Sequence, residues 1–176
     1  MRGPDKKENE IERKWVVQAI PELDCYDSEI ILQSYISITD HSELRIRKRR
    51  GGRYNRHELT FKGAGNLSRP EVNLVIDDEM GYELMNIKDN IPIIKARMYH
   101  EYNSHELEIE FYKGAAAKHL FGLCGTCVVV EIEFDSEEDA NNFKPPEWFD
   151  EDVTEDPRFK NKNIFRAINE EEANHG

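Results

Sequence analysis

The chain has 176 residues, enough for one domain that buries its own core. Asp and Glu number 36 against 24 Lys and Arg, and the resulting net charge of −12 excludes a general nucleic-acid binder, which would present a basic face. No apolar run approaches the ~20 residues that span a bilayer, and MRGPDKKENE at the start lacks the apolar stretch of a secretory signal, so the expectation is a cytoplasmic protein with no membrane or nucleic-acid partner.

Residues 1–8 read as a flexible polar leader, and residues 9–170 as a single domain. Residues 171–176, with Glu170-Glu171-Glu172 at their border, read as a disordered, solvated tail. Glu10–Val17 alternates and ends before Pro21, which predicts a strand. Asp24–Leu32 reads as a short helix or turn, and Gln33–Ile38 as strand. Glu43–Arg50 alternates strictly, and Gly51-Gly52 marks a hairpin to a return strand over Arg56–Lys62. Glu71–Ile76 is the next strand. Asp77-Asp78-Glu79 then opens a helix through Ile87, with its acids at the positive end.

Strands follow over Ile91–Tyr102, Glu106–Tyr112 and Cys127–Phe134. Ala115–His119 reads as a turn or irregular link. Ser136 caps a helix through Phe143, which Pro145-Pro146 stops. The second half of Asp156–Ala173 is helix-compatible. Strands dominate and follow one another directly, which favours antiparallel pairing. Cys25, Cys124 and Cys127 read as reduced thiols, because Cys124-Gly-Thr-Cys127 has neither a second CxxC nor a His pair.

The polar faces of the strands carry an unusual pattern. Side chains at i and i+2 share one face of a strand. Here such pairs repeatedly carry like charge: Glu10/Glu12 with Lys14, Arg45/Arg47/Arg49, Lys95/Arg97, Glu108/Glu110 and Glu131/Glu133. Any one of these is ordinary on a solvated sheet. Repeated on strand after strand, they fit a closed barrel whose lumen collects one face of each strand. Carboxylates there are hard ligands for Mg²⁺ or Mn²⁺, and converging Lys and Arg donate to phosphate oxygens. A metal–polyphosphate ligand would satisfy both sets, which cannot line a dry interior unpartnered.

Glu10-Ile11-Glu12-Arg13-Lys14 resembles the ExExK signature of the CYTH family, the triphosphate tunnel metalloenzymes. Leu44-Arg45-Ile46-Arg47, Leu59-Thr60-Phe61-Lys62-Gly63, Ser68-Arg69-Pro70-Glu71, Lys95-Ala96-Arg97 and Val130-Glu131-Ile132-Glu133-Phe134 are similar, in order, to its later strands. The ending from Trp148 to Lys162 is similar to that of small bacterial members. The resemblance implies a mainly β, closed eight-stranded antiparallel barrel with peripheral helices, acting on a small-molecule triphosphate with Mg²⁺ or Mn²⁺, as a monomer or homodimer. Hydrolysis of inorganic tripolyphosphate is the leading activity. The alternatives are a thiamine triphosphatase, a class IV-type adenylate cyclase, or a non-catalytic triphosphate sensor. Asn73 stands where many members carry a second acid after Glu71.

The resemblance assigns Glu10, Glu12, Glu131 and Glu133 to metal. Glu108 and Glu110 stay open between a second metal and pairing with the arginines. Arg45, Arg47, Lys62 and Arg97 become phosphate clamps, and Lys14 a bridge between acid and phosphate. Lys95, with Glu10 and Glu12, is assigned to catalysis, Lys95 as activator of the attacking water. Arg49 is expected at the solvent. Tyr35, Tyr54, Phe61, Tyr99 and Tyr112 read as core or rim residues before base-stacking ones, and the histidines carry no metal-ligand spacing.

Overall fold

The structure is a computed structural model that describes residues 10–64, 68–87 and 89–174; of Glu10, Ser68 and Arg69 it describes the backbone alone. The expected leader at 1–8 and the side-chain role of Glu10 lie outside the described residues. Among the described residues there are nine strands: β1 (Glu10–Val16), β2 (Asp27–Ile38), β3 (Ser42–Gly51), β4 (Tyr54–Gly63), β5 (Ser68–Arg69), β6 (Glu71–Ile76), β7 (Ile93–Tyr102), β8 (His105–Lys113) and β9 (Val128–Glu133). Four α-helices, α1 (Asp78–Met85), α2 (Gly114–Cys124), α3 (Glu137–Asn142) and α4 (Asn161–Ala173), and a 3-10 turn at Pro157–Phe159 accompany them. α4 takes in residues 171–173 of the expected tail. No described helix is long and apolar enough to cross a membrane.

All ladders are antiparallel, in the order β5-β1-β9-β8-β7-β2-β3-β4-β6. Eight longer strands curl into a half-barrel. The closed barrel expected above is therefore corrected to an open sheet: among the described residues β1 and β6 share no ladder. The reason is competition for the second edge of β1. Only the two-residue β5 pairs there, at Glu10 and Ile11, before Pro70 turns the chain into β6. The rest of that edge is taken by the chain near the C-terminus, through Val16 N to Glu151 O (3.0 Å), Asp150 N to Val16 O (3.1 Å) and Val153 N to Lys14 O (2.8 Å). An edge satisfied by one partner offers no free donors to another.

Two elements differ from the expectation. Asp27–Ile38 is one long strand, so Asp24–Leu32 is not a helix. The residue that breaks the apolar alternation is Glu29, which is buried and faces inward. Ala115–His119 lies inside the eleven-residue helix α2, where Ala116 and Leu120 are buried at a spacing of one helical turn. Gly125, at φ +76°, ends it in the left-handed region that glycine adopts without penalty. Ser136 caps α3 as expected, accepting from Asp139 N at 3.0 Å.

Apolar packing lies outside the concave face and at one end of it. Trp15, Val17, Leu107, Ile109, Val130 and Ile132 pack on the convex side, where Phe143 and Phe149 cover Trp15 at 5.6 and 5.1 Å between ring centres. Tyr35, Ile93, Tyr112, Leu120, Phe165 and Ile168 close one end beneath α2 and α4. Each fully buried large side chain contributes about 1.5–3 kcal/mol. The concave face is left to charge.

α1 lies on the convex side of β4 by a close approach. A Cβ on Gly81 would sit 2.2 Å from Cγ of the fully buried His57. Gly81→Ala is expected to destabilise by about 1–3 kcal/mol. At roughly 2–4 °C per kcal/mol for a chain of this size, thermal unfolding reads the loss. An unchanged melting temperature would contradict the packing.

Candidate active site

A cavity of about 270 Å³ fills the concave face. Its lining includes, among others, Glu12 and Lys14 from β1, Arg45, Arg47 and Arg49 from β3, Glu58 and Lys62 from β4, Lys95 and Arg97 from β7, Glu108 from β8, and Glu131 and Glu133 from β9. The period of two brings each pair to the same side, and the antiparallel register sets pairs opposite one another. Glu12 faces Glu133, Lys14 faces Glu131, Arg97 faces Glu110, and Glu108 faces Glu131. Lys14, Arg45, Arg47, Lys62, Lys95, Arg97 and Glu131 are all buried. Glu12 is half-buried and Glu133 exposed. The aligned edges of β1, β7, β8 and β9 form one acidic wall braced by cations.

In that wall Glu108, Glu110 and Glu131 converge, each offering a carboxylate oxygen within 4.8 Å of the others. Lys14 Nζ is 2.5 Å from Glu131, and Arg97 is 2.5 Å from Glu108 and 3.5 Å from Glu131. Arg97 and Lys95 both bond to Glu110. Three clustered carboxylate oxygens are the donor set of a hard divalent cation. Their charge state agrees. Removal from water, together with Glu133, Glu131 and Glu110 nearby, outweighs Arg97 and pushes Glu108 up to about 8. Glu131 is held well below the usual range, because Lys14, Lys95 and Arg97 outweigh its burial. Burial, with help from Arg97, pulls Lys95 down to about 8 against the pull of Glu110 and Glu131.

The Glu108 shift has a measurable sign. Its carboxyl keeps its proton below about pH 8, and a cation entering the cluster must displace it. Titrating Mg²⁺ into the protein is therefore expected to release a proton at pH 7 and little at pH 9.5. Calorimetry in buffers of different ionisation enthalpy reads this. Equal release at both pH values would place the cation elsewhere.

The opposite wall is basic. Lys62 Nζ pairs with Glu71 at 2.6 Å, and Asn73 donates to the same carboxylate at 2.6 Å, so the absent second acid is replaced by an amide that orients the first. Arg47 is buried and its Nε has no hydrogen-bond partner. Burial, then Arg45, pull it down to about 10, despite Glu58.

Arg49 is corrected from solvent to interior: it is 7% exposed, with Nε 2.9 Å from Glu29 and Nη1 3.2 Å from Glu58. Glu29, Glu58 and Glu43 are buried acids that the sequence analysis missed. Glu43 and Glu58 have no second acid two residues away, so the like-charge pattern could not reveal them; Glu29 has Asp27 at i−2, but that stretch read as a helix or turn.

Tyr35, Tyr54 and Tyr99 line the cavity, but each ring is already engaged. Tyr35 packs on Phe165, Phe61 points outward, and Tyr112 donates to Asn161 at 2.7 Å. The rings of Tyr54 and Tyr99 are covered by arginines, Arg49 at 3.8 Å and Arg56 at 4.4 Å on the first, Arg53 at 4.4 Å on the second. Cys25, Cys124 and Cys127 are free thiols.

No family model matches the chain. It is 35% identical over 161 residues to an inorganic triphosphatase of Nitrosomonas europaea, covering 90% of this chain and 98% of the relative. It is 28% identical over 159 residues to an inorganic triphosphatase of Acetivibrio thermocellus, covering 89% and 93%. A crystal structure of an inorganic triphosphatase superposes with a TM-score of 0.61 at 30% identity, over 88% of this chain and 96% of that one.

Proposed function

The chain belongs to the family of the inorganic triphosphatases, and from that premise we propose that it hydrolyses inorganic tripolyphosphate to diphosphate and phosphate. One observation supports this most: a buried guanidinium, Arg47, lacks a partner at Nε in a cavity that Glu108 and Glu131 of the carboxylate cluster also line. Glu58, its cross-strand neighbour, compensates the buried charge only in part, and an anion supplies the rest. A phosphate chain with a divalent cation would fit both walls.

Arg45, Arg47, Lys62 and Arg97 bind the phosphate oxygens and stabilise charge spread over them as the terminal bond breaks. Arginine does so with paired donors in a fixed plane. Lys14, between Glu131 and the cavity, orients that carboxylate. Glu108, Glu110 and Glu131, with Glu12 and Glu133 at the open side, are the residues that would hold Mg²⁺ or Mn²⁺. Such a cation, when bound, neutralises phosphate charge and acts as a Lewis acid. Lys95, pulled down to about 8 and hydrogen-bonded to Glu110, can in its neutral amine form accept a proton from the attacking water at Nζ, while Glu110, held below the usual carboxylate range by Arg97 and Lys95 against its burial, stays charged and fixes Nζ in place.

The covered rings of Tyr54 and Tyr99 favour an inorganic substrate over a nucleotide or thiamine ester, since neither ring is open for stacking. The test is phosphate release from tripolyphosphate, ATP and thiamine triphosphate with Mg²⁺ and with Mn²⁺, with cyclic AMP measured in parallel. Turnover of tripolyphosphate well above the other two is expected. Formation of cyclic AMP, or binding of all three without release, would refute the proposal.

A further inference from the structure

Arg45, Arg47 and Arg49 stand two residues apart on the concave face of β3, so their stems are spaced by about 7 Å. Their surroundings differ. Arg47 has no hydrogen-bond partner at Nε. Arg49 is fully engaged: Nε and Nη1 reach Glu29 and Glu58, and Nη2 donates to the Tyr99 hydroxyl at 2.9 Å, which itself donates to Glu29. Arg56 takes the other oxygen of Glu58 at 2.6 Å. Two carboxylates thus meet two guanidinium groups, and this part of the cavity is charge-balanced before any ligand arrives. The cavity itself continues past Arg49 to Tyr54 and Arg56 at the rim. What changes there is charge, not space.

We infer that Glu29 and Glu58, by neutralising Arg49, end the phosphate track after Arg47 and confine the substrate to a short chain. The inference rests on the tripolyphosphate reading and adds the residues that would set chain length. Glu58 stands opposite Arg47 on β4 and reaches on to Arg49, so a phosphate placed beyond Arg47 would lie between the Glu58 and Glu29 carboxylates and would have to displace both from Arg49. The barrier is repulsion plus the loss of an existing ion pair, which is selection by an unfavourable contact against the wrong ligand. Burial alone would push Glu58 up; Arg47, Arg49 and Arg56 outweigh it and hold it at about 2, so it is charged at any working pH.

The experiment compares kcat/KM for tripolyphosphate, tetrapolyphosphate and a longer polyphosphate in the full chain and in Glu58→Gln, Glu29→Gln and Glu106→Gln. The wild type is expected to favour tripolyphosphate over tetrapolyphosphate at least tenfold. Glu58→Gln and Glu29→Gln are expected to shrink that ratio at least fivefold, through a lower KM for the longer chain. Glu106→Gln removes the same charge beside Arg53 at the exposed rim, and its ratio is expected to stay at the wild-type value. Equal use of both chains by the wild type, or an unchanged ratio in a folded Glu58→Gln or Glu29→Gln variant, overturns the inference and leaves the tripolyphosphate reading standing. A wild type that uses no polyphosphate overturns both. Where one carboxamide variant fails to fold, the ratio in the other decides.

Discussion

Arg47→Met is expected to lose about 10²–10³-fold in kcat/KM for tripolyphosphate and, at the same time, to melt higher than the wild type. The two effects have one cause. Arg47 is buried, burial and Arg45 pull its pKa down to about 10, and its Nε is unpartnered. Removing that disfavoured charge relieves on the order of 1–3 kcal/mol. Methionine keeps an unbranched apolar stem of similar reach. At roughly 2–4 °C per kcal/mol the gain is visible in a thermal melt. Added tripolyphosphate should raise the melting point of the wild type by mass action and leave the variant unmoved. An active variant, or one that melts lower, would show that Arg47 is compensated within the protein and is not a ligand group.

Glu131→Gln is the converse case. Glu131 is buried against Lys14 at 2.5 Å and Arg97 at 3.5 Å, and it belongs to the carboxylate cluster. Losing its charge leaves the buried Lys14 ammonium without its carboxylate, and breaking a buried pair costs about 3–5 kcal/mol. Losing a cation ligand removes several kcal/mol of transition-state stabilisation, on the order of 10³-fold in rate. The variant should therefore melt lower and lose metal-dependent phosphate release together. Glu133→Gln separates the two effects. Glu133 is exposed, so its substitution should stay within about 0.5 kcal/mol in stability while still weakening turnover if it reaches the cation. Wild-type activity in a folded Glu131→Gln protein would remove Glu131 from the site.

The charged faces of β1, β3, β7, β8 and β9 were legible because each carries two like charges two residues apart, a pattern that solvent alone does not demand. The site was therefore readable where charge is repeated. It was unreadable where a single acid answers a distant arginine, as Glu58 answers Arg49, because the partner is fixed by sheet order, and where the strand itself was missed, as at Glu29. α2 escaped for a different reason: Ala116 and Leu120 reveal a helical stripe only over more residues than the short alanine run. Barrel closure was misjudged because the partner of β1's second edge comes from Asp150–Val153, a segment with no strand pattern of its own.

That edge also dictates an order of events in the cell. Lys14 N donates to Thr154 Oγ1 across 140 residues of sequence. At about 5–20 residues per second on the ribosome, β1 waits on the order of ten seconds for the segment that covers it. Closing so long a loop comes late in folding. Until then Trp15 and Val17 have no cover from Phe143 or Phe149, and an apolar strand edge is exposed to other nascent chains. A stop codon a few dozen residues early would leave the charged cavity residues of β1–β9 in place and yield a chain prone to aggregate.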